Sequence, residues 1–411
     1  MAPSSSMHSG HYLLSKPCSC SWQANIDPLS ERLILSYLPN WDLLPNVASV
    51  SRHLCVAVHE SITSVWLQFM TSEPDERLES LQQRFPNLRR LDIAGGASIS
   101  DLSGLESLKL KSLGLWNCNK VWKFSPLSSL STLRVLEISN QDHLQTLDAL
   151  AFLSRLESIR IWHCDSLRHI SALLHLPSLS SLDIAYCNSI EDCFSTIAGI
   201  SSLDCLSISQ CGGILNEASG CPIPVWSEMK KLELSYGYIS FFLSAMTMVT
   251  SFKMRHCLIS LDLSGNVTVH TNLVAISSLL SLQSLKLRSW RYLSDVSCLS
   301  SLPSLLSLDL TNCPNLREIS PLGDLGNLTY LNLHGSNVTI LSSLKSLKNL
   351  SVLIVSYCSH LHYTAELQYL ESLGYIELTG CGAQIQRDVH NLLCQSKPEC
   401  ICNRSRRLSN P

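Results

Sequence analysis

Long apolar runs are missing from this chain. No stretch of its 411 residues approaches the roughly 20 residues of a membrane-spanning helix. Charge is scarce, at 15% of residues, and nearly balanced at a net -3. No global field therefore draws the chain to nucleic acid or to an anionic membrane. Met1 to Trp22 offers only Tyr12-Leu13-Leu14 as an apolar centre, too little for a signal peptide, so a cytoplasmic or nuclear protein is expected. Catalytic constellations are missing too: there is no Gly-rich phosphate loop, no H-E-x-x-H and no nucleophile elbow. Neither an enzyme nor a cofactor is expected.

What the chain has in quantity is leucine at a fixed period. The stretch Leu305-x-x-Leu308-x-Leu310-x-x-Cys313-x-x-Leu316 is followed by a Pro- and Gly-bearing return, and the pattern begins again at Leu328. Leu308 and Leu310 alternate as a short strand does, and the return half holds the residues of a turning chain. Units start at Leu88, Leu110, Leu133, Leu156, Leu179, Leu203 and Met229, and again at Leu282, Leu305, Leu328, Leu350 and Leu373. Between Met229 and Leu282 two phases fit, one starting at Val249 and one at Leu258. That makes about 13 units, none able to bury its apolar face alone.

Seven or eight of the 18 cysteines follow the same period. Cys118, Cys164, Cys187, Cys211, Cys313, Cys358 and Cys381 share one repeat position, joined by Cys257 if the Val249 phase holds. A small, weakly polar, inward side chain is expected there, because larger groups clash where the backbone leaves the strand. Thiols on adjacent parallel rungs, about 4.8 Å apart and all pointing inward, are poorly placed for bridging, so reduced thiols are expected. His390-x3-Cys394-x5-Cys400-x-Cys402 carries four metal-capable groups, but its spacing matches no common zinc module, and no metal is expected. The Asn-x-Ser/Thr triplets at Asn266, Asn327, Asn337, Asn349 and Asn403 read as by-products of a Ser- and Asn-rich repeat.

This pattern resembles the cysteine-containing leucine-rich repeats, and Asn312-Cys313-Pro314-Asn315-Leu316 is similar to the form they take in F-box proteins. The resemblance implies an α/β fold: a leucine-rich-repeat solenoid, a curved horseshoe with a parallel concave β-sheet, over residues 88–385. Residues between the buried strand positions then point outward onto that sheet. Most are small or polar. Trp116, Arg160, Trp162, His163 and Tyr186 break the rule in the first third, and outward Trp has no core to fill. Interface hot spots favour these residue types, so the five are the candidate partner-binding patch. Tyr330, His334, Tyr357 and Tyr375 form a second, weaker candidate.

Ahead of the repeats, residues 1–25 read as a Ser-rich disordered tail, and residues 26–70 as three short helices, the third running through Leu54, Val58 and Ile62 to Trp66. Ile34-Leu35-Ser36-Tyr37-Leu38-Pro39, Asp42-Leu43-Leu44, Val50-Ser51-Arg52 and Val65-Trp66 together resemble an F-box. Departures are Asp27-Pro28-Leu29-Ser30-Glu31 at its opening, Pro45 in the second helix and Leu54 where a Trp is usual. The resemblance implies a Skp-type adaptor bound by Ile34, Leu38, Leu43, Leu44, Val47 and Val50, with the repeats holding a protein substrate for a cullin ubiquitin ligase. The alternative is a scaffold or inhibitor whose helices serve only as the end cap that a solenoid needs. A secreted receptor is a third, distant option. Residues 71–87 connect head to repeats, with a helix-like run over Asp75–Arg84. Residues 386–411 carry a short closing helix over Arg387–Leu393 and a basic, disordered tail in which Arg406-Arg407-Leu408-Ser409 resembles a kinase site.

Overall fold

The structure is a computed structural model that describes residues 62–68, 78, 81–94, 99–191, 196–197, 199–211, 228–236, 254–265, 273–362 and 364–403. The tail, the helical head up to residue 61 with its six adaptor-contact residues, and Ser409 lie outside the described residues. The chain divides into two compact units, Met1–Leu179 and Ser180–Pro411.

In the first unit five parallel strands follow one another in chain order: β1 (Ser64–Gln68), β2 (Arg90–Ala94), β3 (Ser112–Trp116), β4 (Val135–Ser139) and β5 (Ser158–Trp162). Their register is strict, with Leu113 opposite Leu91 and Leu136, and Trp116 opposite Ala94 and Ser139. The second unit continues in kind with β6 (Ser181–Ala185), β7 (Cys205–Ser209), β8 (Lys231–Ser235), β9 (Ser260–Asp262) and β10 (Ser284–Lys286). It then adds β11 (Ser307–Asp309), β12 (Tyr330–Asn332), β13 (Val352–Ile354), β14 (Tyr375–Glu377) and β15 (Ile401–Asn403). Strands β2 to β14 fall on the expected starts. In each rung the starting residue and those three and five later are buried, as are Leu110, Leu113 and Leu115. The disputed phase resolves to Leu258: Leu261 lies in β9 and is buried with Leu263, whereas Cys257 ends the helical turn Met254–Cys257 and joins no thiol column.

Nine return halves among the described residues are 3₁₀ turns, as in Ser125–Ser129, Ser320–Asp324 and Ser342–Ser346. A 3₁₀ turn rises about 2.0 Å per residue against about 1.5 Å in an α-helix, so a few residues carry the chain back within a short repeat. Serine suits such turns because its hydroxyl bonds locally: Ser128 Oγ donates to Ser125 O at 2.8 Å.

Three expectations need correction. The third helix does not reach Trp66; Ser64–Gln68 is β1, burying Val65 and Leu67 and pairing with β2. Alternate burial is strand chemistry, and the neighbouring ladder rewards it. The closing helix is longer than expected, α1 (Ala383–Ser396), burying Gln386, Val389 and Leu393. Part of the tail is ordered: Ile401 N donates to Gly374 O and Leu378 N to Asn403 O, each at 2.9 Å, which pins β15 to β14. Among the described residues no helix is long and apolar enough to cross a membrane.

Candidate functional site

Strands β3 to β14 each leave their rung through a left-handed residue, and where the following residue is described its side chain turns inward. Asn117 (φ 53°), His163 (φ 52°) and Tyr357 (φ 57°) hold the left-handed place. The inward place is the cysteine position. Cys313 Sγ bonds Leu287 O at 3.2 Å, Cys358 Sγ bonds Leu333 O at 3.1 Å and Cys381 Sγ bonds Val355 O at 2.9 Å, each reaching the preceding rung. Size is not the criterion. Gln141 and Trp290 fill the same place, fully buried, with Trp290 Nε1 donating to Leu263 O at 2.6 Å and Gln141 Nε2 to Ser139 O at 2.9 Å. Ser336 Oγ donates to Leu310 O at 3.1 Å. The position selects a proton donor, which correct the expectation of smallness. Burial pushes the Cys313 and Cys358 thiols up to about 12, so they stay protonated and unreactive. Among the described residues no cysteine is in a disulfide. Among the described residues no group of three or more metal-ligating side chains occurs; His390 and Cys394 approach each other at 3.7 Å on α1.

On the sheet face of the first unit, Trp116 on β3 and Trp162 on β5 meet across the intervening strand. Their ring centroids are 6.3 Å apart and tilted by 55°. Between them β4 presents Ser139, which is buried beneath the rings. A larger residue there would hold the indoles apart. One row below, Gly114 lets the Trp116 indole lie flat on the backbone: a Cβ on it would fall 2.6 Å from Trp116 Nε1 and 2.4 Å from Asp92 Oδ1. Neither Ser139 nor Gly114 stands out in the sequence, because the signal is their smallness beside two large neighbours. Trp116 Nε1 is buried with no hydrogen-bond partner. That indole is held by packing alone, unlike the bonded indole of Trp290.

Arg160 shares the row of Gly114, and its Nη1 pairs with Glu137 Oε1 at 2.8 Å while the guanidinium stays half exposed. Arg90 Nε similarly bonds the buried Asp92 at 2.8 Å, which raises the Arg90 pKa. The structure thus brings Trp116 on β3 together with Arg160 and Trp162 on β5, on either side of β4. His163 follows Trp162 at the left-handed turn, exposed at the rim of the sheet and off its face. Tyr186 takes the equivalent place in the second unit (φ 56°), 39% exposed.

The second unit's face is charged and paired with itself. Arg288 Nε bonds Asp309 Oδ2 at 2.7 Å, and Lys286 Nζ lies 3.2 Å from Asp262 Oδ2. The same carboxylates accept the backbone N–H two residues on, at Thr311 and Ser264. The weaker candidate group is likewise engaged: His334 Nδ1 lies 2.8 Å from Ser356 Oγ, His334 stacks at 5.2 Å on Tyr357, and Tyr375 bonds Glu377 at 3.3 Å. On the first unit's sheet face the half-buried tryptophan pair is the large apolar feature.

No family model and no curated protein matches the chain. Among solved structures, a leucine-rich-repeat protein of Leptospira interrogans is similar over 88% of this chain and 92% of that one, with a TM-score of 0.56 and 16% identity. The internalin InlF of Listeria monocytogenes covers 93% and 91% at a TM-score of 0.41 and 18% identity. The ectodomain of the receptor kinase GASSHO1/SCHENGEN3 of Arabidopsis thaliana covers 78% and 47% at 0.39 and 19%. The fold is a leucine-rich-repeat solenoid. At such identities the likeness speaks to fold alone.

Proposed function

We propose that this chain is a non-catalytic protein-binding adaptor, and that it serves as the substrate-recognition subunit of a Skp–cullin–F-box ubiquitin ligase in the cytoplasm or nucleus. The observation that carries the binding half is the Trp116–Trp162 pair on the outward face of a parallel ladder. Two large rings there fill no core, and Trp with a half-exposed Arg beside it is the composition of an interface hot spot. The ligase half rests on the F-box resemblance of residues 26–70, with Ile34, Leu38, Leu43, Leu44, Val47 and Val50 as the adaptor contacts. Such a subunit breaks no bond. It acts by raising the substrate's effective concentration beside the ubiquitin-loaded enzyme.

Co-purification of the full chain with a recombinant Skp-type adaptor tests the ligase half. Retention of the adaptor by the full chain, and its loss when residues 26–61 are removed, supports it. Failure of the full chain to retain the adaptor leaves the second reading, an interaction scaffold or inhibitor whose N-terminal helices only cap the repeats.

A further inference from the structure

The return halves of the β3 and β4 rungs enclose a cleft of about 500 Å³, on residues unconnected with the tryptophan row. Trp122 and Phe152 line it, 69% and 78% exposed. The fold does not ask for aromatic residues at either place. Counted from the buried residue beside each, Trp122 stands where other rungs carry Gln145, Arg168 and Arg317, and Phe152 where three rungs carry Ser129, Ser301 and Ser346 and one carries Tyr369. Exposed rings that serve no packing, set around a concavity, mark a binding surface.

The polar lining indicates the ligand. Phe124, His143, Gln145 and Asp148 also line the cleft, and no lysine or arginine contributes. Asp148 opens the 3₁₀ turn Asp148–Leu150, and its carboxylate makes no ion pair or side-chain hydrogen bond among the described residues. A cation over a Trp or Phe face is attracted by the ring's electron density. A guanidinium adds a flat surface for stacking and a fork of N–H donors for a carboxylate. We infer that this cleft binds a basic side chain, an arginine presented by a peptide. Trp122 and Phe152 supply the stacking faces and Asp148 the counter-charge.

The full chain labelled with 5-fluorotryptophan carries eight fluorine reporters, of which Trp122 is assigned by its loss in Trp122→Phe. Titration with acetyl-Gly-Arg-Gly-amide is expected to move the Trp122 resonance saturably, with Kd on the order of 1 mM, the scale of about 4 kcal/mol. The isosteric citrulline peptide, neutral at the same length, is expected to bind about fivefold more weakly or worse. Asp148→Asn and Phe152→Ser should each weaken the arginine peptide by a similar factor. Equal binding of the arginine and citrulline peptides would overturn the inference in favour of a neutral ligand such as a sugar. No saturable shift at Trp122 would overturn it outright. The citrulline comparison uses the unaltered protein, so it stands whatever the variants do to folding, and neither result bears on the sheet-face reading.

Discussion

At the residue scale, the thiol column shows what the rung demands. The sequence displays a cysteine period, and smallness is the property it suggests. Gln141, Trp290 and Ser336 share only a donatable proton, a property hidden until the preceding rung's carbonyl is seen to accept it. Trp290→Phe should therefore cost about 1–3 kcal/mol, because it strands the Leu263 carbonyl without its partner. Cys313→Ser keeps a donor, as Ser336 does, and should cost less; urea unfolding of both variants checks the order. The raised thiols also set a pH dependence. A thiol whose native pKa exceeds its unfolded value contributes stability in full below the unfolded pKa and loses it as pH rises through the native one. For Cys313 and Cys358 that window runs from the ordinary 9.0 up to about 12. Stability should fall above pH 9, and the double variant Cys313→Ser/Cys358→Ser should fall less steeply.

At the element scale, strands β2 to β8 and β10 to β14 were legible because a three-point leucine pattern repeated along the chain leaves one register, whereas at β9 two registers nine residues apart both fitted. The ends were not. Val65-Trp66 and Ile401-Cys402-Asn403 belong to no repeat, and each becomes a strand only through pairing with β2 or β14, an interaction invisible to local pattern. The sheet-face patch was half legible: alternation placed Trp116, Arg160 and Trp162 together. It placed His163 with them as well, although strand alternation stops at Trp162 and the left-handed turn follows. The tryptophan row depends on the small residues beneath it. Gly114→Ala should push the Trp116 indole off the strand, because the new methyl lands 2.6 Å from Nε1. A changed near-ultraviolet dichroism spectrum and a loss of about 1–3 kcal/mol are expected. Gly326→Ala, with nothing within 4 Å, is the silent control.

At the scale of the whole molecule, a repeat fold supplies one outward ladder and leaves its use to whichever rungs depart from the common pattern. In the second unit the ladder's charges are matched to one another, Arg288 with Asp309 and Lys286 with Asp262, and little is left over for a partner. In the first unit two indoles lie over a serine. That contrast locates the proposed grip. The most direct measurement is the affinity for a captured protein partner of the full chain against the variant Trp116→Ala/Trp162→Ala, with both shown by dichroism to be folded. Loss of binding by at least about tenfold per ring is expected, on the scale of hot-spot residues. Unchanged affinity in a folded double variant would contradict the proposal that this face holds the partner.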